Sequence, residues 1–87
     1  MAKPDFISAH EWAFANQENL DKSDLCGCFY CLKIFLPSKI KDWVREKPRE
    51  TALCPYCGID SVLGSASGYL ITIEFLQEMH DYWFKVH

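Results

Sequence analysis

Apolar residues recur every three or four positions in two long stretches of the chain, residues 6–20 and residues 72–86. This spacing places apolar side chains on one face of a helix, so the pattern predicts an amphipathic helix in each stretch. A shorter stripe follows Pro37, a residue suited to the first turn of a helix. It predicts a third helix over about residues 37–46.

Two other stretches, residues 25–36 and 51–63, are rich in branched and aromatic residues, which favours short β-strands. Each stretch contains a tight pair of cysteines, and Gly58 allows the chain to turn out of the second pair. The whole pattern predicts a single α+β domain over residues 1–87. In this interpretation two cysteine-bearing β-hairpins are wrapped by two or three helices.

The cysteine pairs carry the clearest chemical signal in the sequence. Two residues separate the members of each pair, which lets both sulfurs face one ion, and two such pairs supply four thiolates in a tetrahedral arrangement. We therefore predict one bound Zn²⁺, with iron as the less favoured metal. The predicted ligands are Cys28, Cys31, Cys54 and Cys57. The fold is then a small zinc-ribbon-like core in which each hairpin carries one metal-binding knuckle.

A site made of four sulfurs closes the coordination sphere, which is typical of a structural metal rather than a catalytic one. Metal binding then adds to the free energy of folding. This matters in a chain of 87 residues, because an apolar core of that size gives little stability by itself. The sequence contains no nucleophilic triad order, Gly-rich phosphate loop or zinc-hydrolase motif. These features predict a protein that is not an enzyme.

Four residues near the metal ligands have roles that the sequence leaves open. Cys26 is the fifth cysteine, and it could replace Cys28 as a ligand, act as a redox-sensitive thiol or be buried. His10 is predicted on the inner face of the first helix, either as an N–H donor to a thiolate or as a core histidine. Asp60 and Ser61 follow the second cysteine pair, where we expect them to bond backbone groups around the metal turn.

The formal net charge is −3, yet residues 33–49 carry six basic and two acidic side chains. One alternative function is therefore nucleic-acid binding through a basic helix over residues 38–49, with Lys39, Lys41 and Arg45 on the contact surface. The acidic residues among these bases are also typical of an exposed helix face with ion pairs.

The last predicted helix is strongly aromatic, and Tyr82 and Trp83 are the side chains that we expect to contact a protein partner. The favoured function is a zinc-binding adaptor or regulatory protein with a structural metal and a protein-binding surface. The sequence shows no signal peptide and no apolar stretch long enough to span a bilayer. Five cysteines in such a chain favour a reducing compartment. We expect a cytoplasmic location and no membrane partner.

The second knuckle, Cys54-Pro-Tyr-Cys-Gly58, resembles the second knuckle of rubredoxins. This resemblance implies a third function, an iron electron carrier. Rubredoxins carry glycine after the second cysteine of the first knuckle, where this chain has Leu32. A bulky residue there disfavours the symmetric backbone N–H···S bonds of an iron site, so the departure favours zinc.

Most of the chain also resembles a second group of proteins. The motifs that carry the resemblance, besides the first helix, are Cys26-Gly-Cys-Phe-Tyr-Cys31, Cys54-Pro-Tyr-Cys-Gly-Ile-Asp-Ser-Val62, Ser67-Gly68, Ile71-Thr72 and Trp83-Phe84. The group consists of small, uncharacterised bacterial cytoplasmic proteins, which have proline where this chain has Leu70. The resemblance implies a bacterial, cytoplasmic, zinc-ribbon-like protein and no particular activity.

Overall fold

The computed structural model describes residues 6–46 and 49–84, and it combines helices with antiparallel sheets, in agreement with the predicted α+β class. The helices are α1 (Phe6–Glu11), α2 (Gln17–Asp21) and α3 (Ile73–Phe84). The strands are β1 (Cys26–Cys28), β2 (Ile34–Phe35), β3 (Trp43–Glu46), β4 (Arg49–Ala52) and β5 (Val62–Gly64). Short 3₁₀ turns cover Pro37–Lys39 and Ser65–Ser67.

The strands form two antiparallel sheets. One has three strands in the order β2-β1-β5, with Gly27 opposite Ile34 on one side and opposite Leu63 on the other. The second sheet is the β3–β4 pair. The first cysteine pair lies at the hairpin that joins β1 to β2. The second pair lies in the connection from β4 to β5, and that connection runs between the two sheets instead of closing the hairpin that was predicted.

The predicted helix over residues 6–20 is two shorter helices in the structure. Between them Ala15 adopts a left-handed φ of 51° and donates its N–H to Thr51 Oγ1 at 2.7 Å. The side chain of Asn16 donates to the Val62 carbonyl at 2.9 Å and accepts the Ala52 N–H at 3.0 Å. These bonds join the chain to strands of both sheets, and they offset the loss of about one helical turn.

The structure also corrects the helix predicted over residues 37–46. Only Pro37–Lys39 forms a helical turn, whereas Trp43–Glu46 pairs with β4 as strand β3. Branched and aromatic residues suit a strand, and pairing satisfies the backbone of this segment. Trp43 packs against the buried cluster that contains Cys28 and Cys54, whereas Val44 and Arg45 are exposed.

Helix α3 begins after Thr72, whose hydroxyl accepts the Phe75 N–H at 3.1 Å in the manner of an N-cap. Its inner stripe consists of the buried residues Phe75, Leu76 and Met79. The described part of the helix ends at Phe84. The predicted end at residue 86 lies outside the described residues.

Strand β1 separates two apolar clusters, because successive strand residues face opposite sides of the sheet. We call the first the helix-side core, and its buried members are Ala9, Ala13, Phe29, Leu63, Ile71, Phe75, Leu76 and Met79. The second is the cysteine-side core, formed by Leu20, Cys26, Cys28, Phe35, Ala52, Cys54 and Val62. A three-residue strand thus carries metal-ligand candidates on one face and supports α3 on the other.

Gly27 allows α3 to lie directly on β1. A Cβ atom at this position would stand 2.7 Å from Leu76 Cδ1 and 2.9 Å from Ile71 Cγ2, closer than carbon atoms normally approach. The absence of a side chain therefore sets the short distance between the helix and the strand.

We predict that Asn16→Asp lowers the free energy of unfolding by about 2–4 kcal/mol, measured by urea titration. The aspartate keeps an oxygen that accepts from Ala52 but loses the donor to Val62, and it places a charge where the side chain is only 2% exposed. Gln17→Glu makes the same amide-to-carboxylate change at the first residue of α2 and serves as the control. An effect no larger than that of the control would contradict the role of Asn16.

Candidate metal centre

The two knuckles bring the sulfurs of Cys28, Cys31, Cys54 and Cys57 together, so that all four Sγ atoms lie within 4.8 Å of one another. Between the knuckles, Cys28 Sγ lies 3.6 Å from Cys57 Sγ, and Cys31 Sγ lies 3.6 Å from Cys54 Sγ. A tetrahedron with metal–sulfur bonds of ~2.3 Å has edges of ~3.8 Å, close to these separations. The arrangement could hold one metal ion.

The chemistry of the donor set fits such an ion. All five cysteines are free, and the sulfur separations are far longer than a disulfide bond of ~2.05 Å. The first cysteine of each knuckle is buried and the second is partly exposed, so the site lies at the edge of the cysteine-side core. Tetrahedral sites with four sulfurs are typical of zinc or iron.

The two knuckles have the same backbone hydrogen bonds. In the first, the Tyr30 N–H points to Cys28 Sγ at 3.4 Å and the Leu32 N–H donates to the Cys28 carbonyl at 2.9 Å. In the second, the Tyr56 N–H points to Cys54 Sγ at 3.4 Å and the Gly58 N–H donates to the Cys54 carbonyl at 2.9 Å. The repetition gives the site a pseudo-two-fold symmetry.

Leu32 does not disturb this symmetry, although the sequence suggested that it would. Its φ is 65°, in the same left-handed region as the φ of 78° at Gly58. A leucine there costs of order 1–2 kcal/mol relative to ordinary backbone geometry. Leu32 also packs against the helix-side core, and this contact offsets part of the cost. Leu32 therefore does not disfavour an iron site.

Burial and hydrogen bonding shift the pKa values of the thiols in different directions. Burial raises the pKa of Cys31 to about 11, and it also raises the pKa of Cys57 above its ordinary value. Burial acts on Cys54 too, but the backbone N–H groups of Tyr56 and Cys57 and the neighbouring thiols outweigh it and hold the pKa of Cys54 below its ordinary value. A metal ion that binds here therefore displaces protons from thiols.

Ser61 contributes a contact to this site. Its side chain is 2% exposed, and its hydroxyl oxygen lies 3.0 Å from Cys28 Sγ. The side chain of Ser61 was predicted to bond backbone groups, but its hydroxyl contacts the sulfur instead, and it is the Ser61 carbonyl that accepts the Phe29 N–H at 3.0 Å. Its spacing in the sequence could have indicated a contact with the site, because Ser61 lies four residues after Cys57, as Phe35 lies four residues after Cys31.

The spare cysteine is placed apart from the four sulfurs. Cys26 is fully buried in β1, and it does not belong to the group whose sulfurs lie within 4.8 Å. Burial raises the pKa of Cys26 to about 12, which makes it a poor nucleophile. The structure therefore favours a buried thiol in the cysteine-side core over a metal ligand or a redox-sensitive thiol.

His10 is exposed, so its predicted place on the inner face of the first helix is wrong. Ala9 and Ala13 take the inner positions of that segment. The imidazole ring lies 4.1 Å from the ring of Trp83 and 5.8 Å from the ring of Phe29, measured between centroids. These contacts place His10 in an aromatic cluster between α1 and α3.

The predicted basic surface is present as separate exposed residues. Lys39 ends a 3₁₀ turn, Lys41 lies in the loop that follows, and Arg45 lies in β3. The Arg45 guanidinium is 3.8 Å from the Glu50 carboxylate. Since no helix holds these three side chains on one face, the helical mode of nucleic-acid recognition predicted for residues 38–49 has no scaffold in the described part of the segment.

The predicted aromatic contact residues lie near the end of α3. Tyr82 is 47% exposed and Trp83 is 37% exposed. The Trp83 indole N–H donates to the Phe6 carbonyl at 3.1 Å, so this residue also ties α1 to α3.

Comparisons of the chain with protein-family models, curated proteins and solved structures give no match. Within residues 6–46 and 49–84, no helix has the length and apolar character needed to cross a membrane. The interpretation of the site therefore depends on its geometry.

We predict that the affinity for Zn²⁺ rises with pH between about pH 6 and pH 8. The raised pKa values of Cys31 and Cys57 keep both thiols protonated in the metal-free site across this range. If two protons are displaced, the apparent association constant changes by about 100-fold per pH unit, and affinity is lost as pH falls. Competition with a chelator of known pH dependence measures the slope. A slope near zero would contradict thiolate ligation.

Proposed function

We propose that this chain is a non-enzymatic binding protein whose fold is fastened by one structural Zn²⁺ on Cys28, Cys31, Cys54 and Cys57. The observation that carries this proposal is the convergence of four sulfurs within 4.8 Å. Four protein ligands complete a tetrahedral zinc site, so substrate has no coordination position to occupy. This is the reason to assign the metal a structural role and the protein a binding role.

The position of the site explains what the metal would stabilise. The first knuckle belongs to the β1–β2 hairpin of the three-stranded sheet, and the second follows β4 of the other sheet. One ion bound by both knuckles would therefore fasten the two sheets together. The five free cysteines support a cytoplasmic location as part of the proposal, because thiols stay reduced there.

We predict that a chelator removes one equivalent of metal and abolishes the native circular dichroism spectrum, because metal binding is part of the folding free energy. Cys54→Ser should have the same effect without chelator. Cys26→Ala is the matched control, since Cys26 is equally buried but lies outside the four-sulfur group. We expect it to retain one equivalent of metal. Native circular dichroism in metal-free protein would contradict the structural role.

The proposed partner surface is an aromatic face made of Tyr30, Tyr82, Trp83 and Phe84, which are 45%, 47%, 37% and 37% exposed. The rings form two pairs: Tyr30 and Phe84 lie 5.0 Å apart and Tyr82 and Trp83 lie 5.2 Å apart, between centroids. The rings of His10 and Phe29 connect the two pairs, since His10 contacts Trp83 and Phe29 contacts Phe84. Exposed aromatic residues of this kind are enriched at protein interfaces. Tyr30 lies between two ligand cysteines, so the metal would hold part of this face in place.

Acidic residues of α3 border the aromatic face. Glu78 is exposed and lies four residues before Tyr82, and Asp81 is half-buried and lies three residues before Phe84. These spacings make the two residues of each pair neighbours on the surface of a helix. Complementary charge would then place basic residues around the apolar contact of the partner. The proposed partner is a protein with an apolar site bordered by lysine or arginine.

We predict that Tyr30→Ser weakens capture of a specific partner at least 10-fold, because it removes an exposed aromatic ring that packs edge-on against Phe84 in this face. Tyr56→Ser is the matched control, since Tyr56 occupies the equivalent position of the second knuckle and is 58% exposed. Both substitutions keep the backbone N–H that points to sulfur. Capture that is equal for both variants and the wild type would contradict the assignment of the partner surface.

An iron electron carrier is the second candidate, and one observation favours it. The backbone N–H groups point to sulfur in the same way in both knuckles, despite Leu32. Hydrogen bonds of this kind tune the reduction potential of an iron–thiolate site. Metal analysis of the purified protein separates the candidates: zinc supports the binding protein, and iron with a reversible one-electron couple supports the carrier.

A further inference from the structure

Ser61 is a buried polar residue that connects the metal site to the three-stranded sheet. It immediately precedes β5, where Cys28 pairs with Val62. Its carbonyl accepts the Phe29 N–H at 3.0 Å, and its hydroxyl lies 3.0 Å from Cys28 Sγ. The bond to Phe29 and the pairing of Val62 with Cys28 thus hold the backbone of Ser61 beside the cysteine, with its hydroxyl within hydrogen-bond distance of the sulfur.

The direction of this hydrogen bond follows from the chemistry of a metal ligand. A thiolate carries no proton and can only accept, so the Ser61 hydroxyl must donate to Cys28 whenever that sulfur binds a metal. A hydrogen bond to an ionised acceptor is about twice as strong as one between neutral groups. The bond therefore favours the metal-bound state over the state with a neutral thiol.

The contact breaks the pseudo-symmetry of the site. Phe35 occupies the position of the first knuckle that corresponds to Ser61 in the second. Phe35 is 5% exposed, lies in the cysteine-side core with Cys54 and has its ring 5.8 Å from that of Tyr56. One half of the site thus receives a hydroxyl donor, and the other half receives an apolar ring.

We infer that Ser61 is a positioning residue for the metal site, whose hydroxyl orients the Cys28 thiolate and lowers the electron density on that sulfur. This inference rests on the proposed metal site. It adds that the protein adjusts the donor strength of one of the four ligands, Cys28. Groups that hydrogen-bond to metal ligands typically change metal affinity by about 10–100-fold.

The test uses the full chain loaded with Co²⁺, which binds thiolates and reports on them by absorption. Ser61→Ala should weaken Co²⁺ and Zn²⁺ binding about 10-fold in competition with a chelator. It should also move the sulfur-to-cobalt charge-transfer band to longer wavelength, because a thiolate without its donor gives up an electron more readily. Ser61→Thr retains a hydroxyl and should restore both properties toward those of the wild type.

Ser67→Ala is the matched control. The Ser67 hydroxyl donates to the Gly64 carbonyl at 2.6 Å, so the variant also loses a hydroxyl bond near β5 but none to sulfur. If Ser61→Ala and Ser67→Ala bind metal alike and share the wild-type charge-transfer band, the inference is overturned. A wild-type chain that binds no metal would overturn the proposed function itself, which is a different result.

A measurement on the wild type covers the case in which Ser61→Ala does not fold. In protein loaded with ¹¹³Cd²⁺, the Ser61 hydroxyl proton should exchange slowly with water and show a scalar coupling to cadmium through Cys28. A hydroxyl proton that exchanges as fast as that of an exposed serine, without coupling, would contradict the hydrogen bond.

Discussion

Four thiols whose sulfurs lie within 4.8 Å of one another cannot all ionise unless a cation lies between them, because neighbouring thiolates repel one another. Burial raises the pKa of Cys31 to about 11 and also raises the pKa of Cys57, so these two thiols stay largely protonated in the metal-free site. Backbone N–H groups of Tyr30 and Tyr56 already point at the two buried sulfurs. These N–H groups favour thiolates at the two sulfurs, and a metal cation bound here would supply the further attraction that the protein alone lacks.

Strand β1 connects the four-cysteine site to the rest of the fold. Cys26 and Cys28 face the cysteine-side core, while Gly27 lies against Leu76 of α3 on the other side. Asn16 bonds Val62 of one sheet and Ala52 of the other, so it reinforces the connection that the metal would make between the sheets. The metal site, the inner face of α3 and the break between the first two helices thus depend on one short strand and its neighbours.

The grouping of Cys28, Cys31, Cys54 and Cys57 was the most predictable feature, because a two-residue separation between cysteines reflects local ligand geometry. The helices predicted over residues 6–20 and 37–46 were less predictable. Long-range bonds at Asn16 interrupt the first, and pairing of β3 with β4 replaces most of the second. Side-chain periodicity carries no information about such distant partners. The left-handed φ of 65° at Leu32 likewise reflects the closing of a knuckle rather than the preference of leucine.

The most direct test of the central claim is X-ray absorption at the metal edge of the purified protein. The account predicts a first coordination shell of four sulfur atoms at ~2.3 Å and no nitrogen or oxygen ligand. The edge used also identifies the metal. A shell that requires nitrogen or oxygen, or that contains fewer than four sulfurs, would contradict ligation by both knuckles.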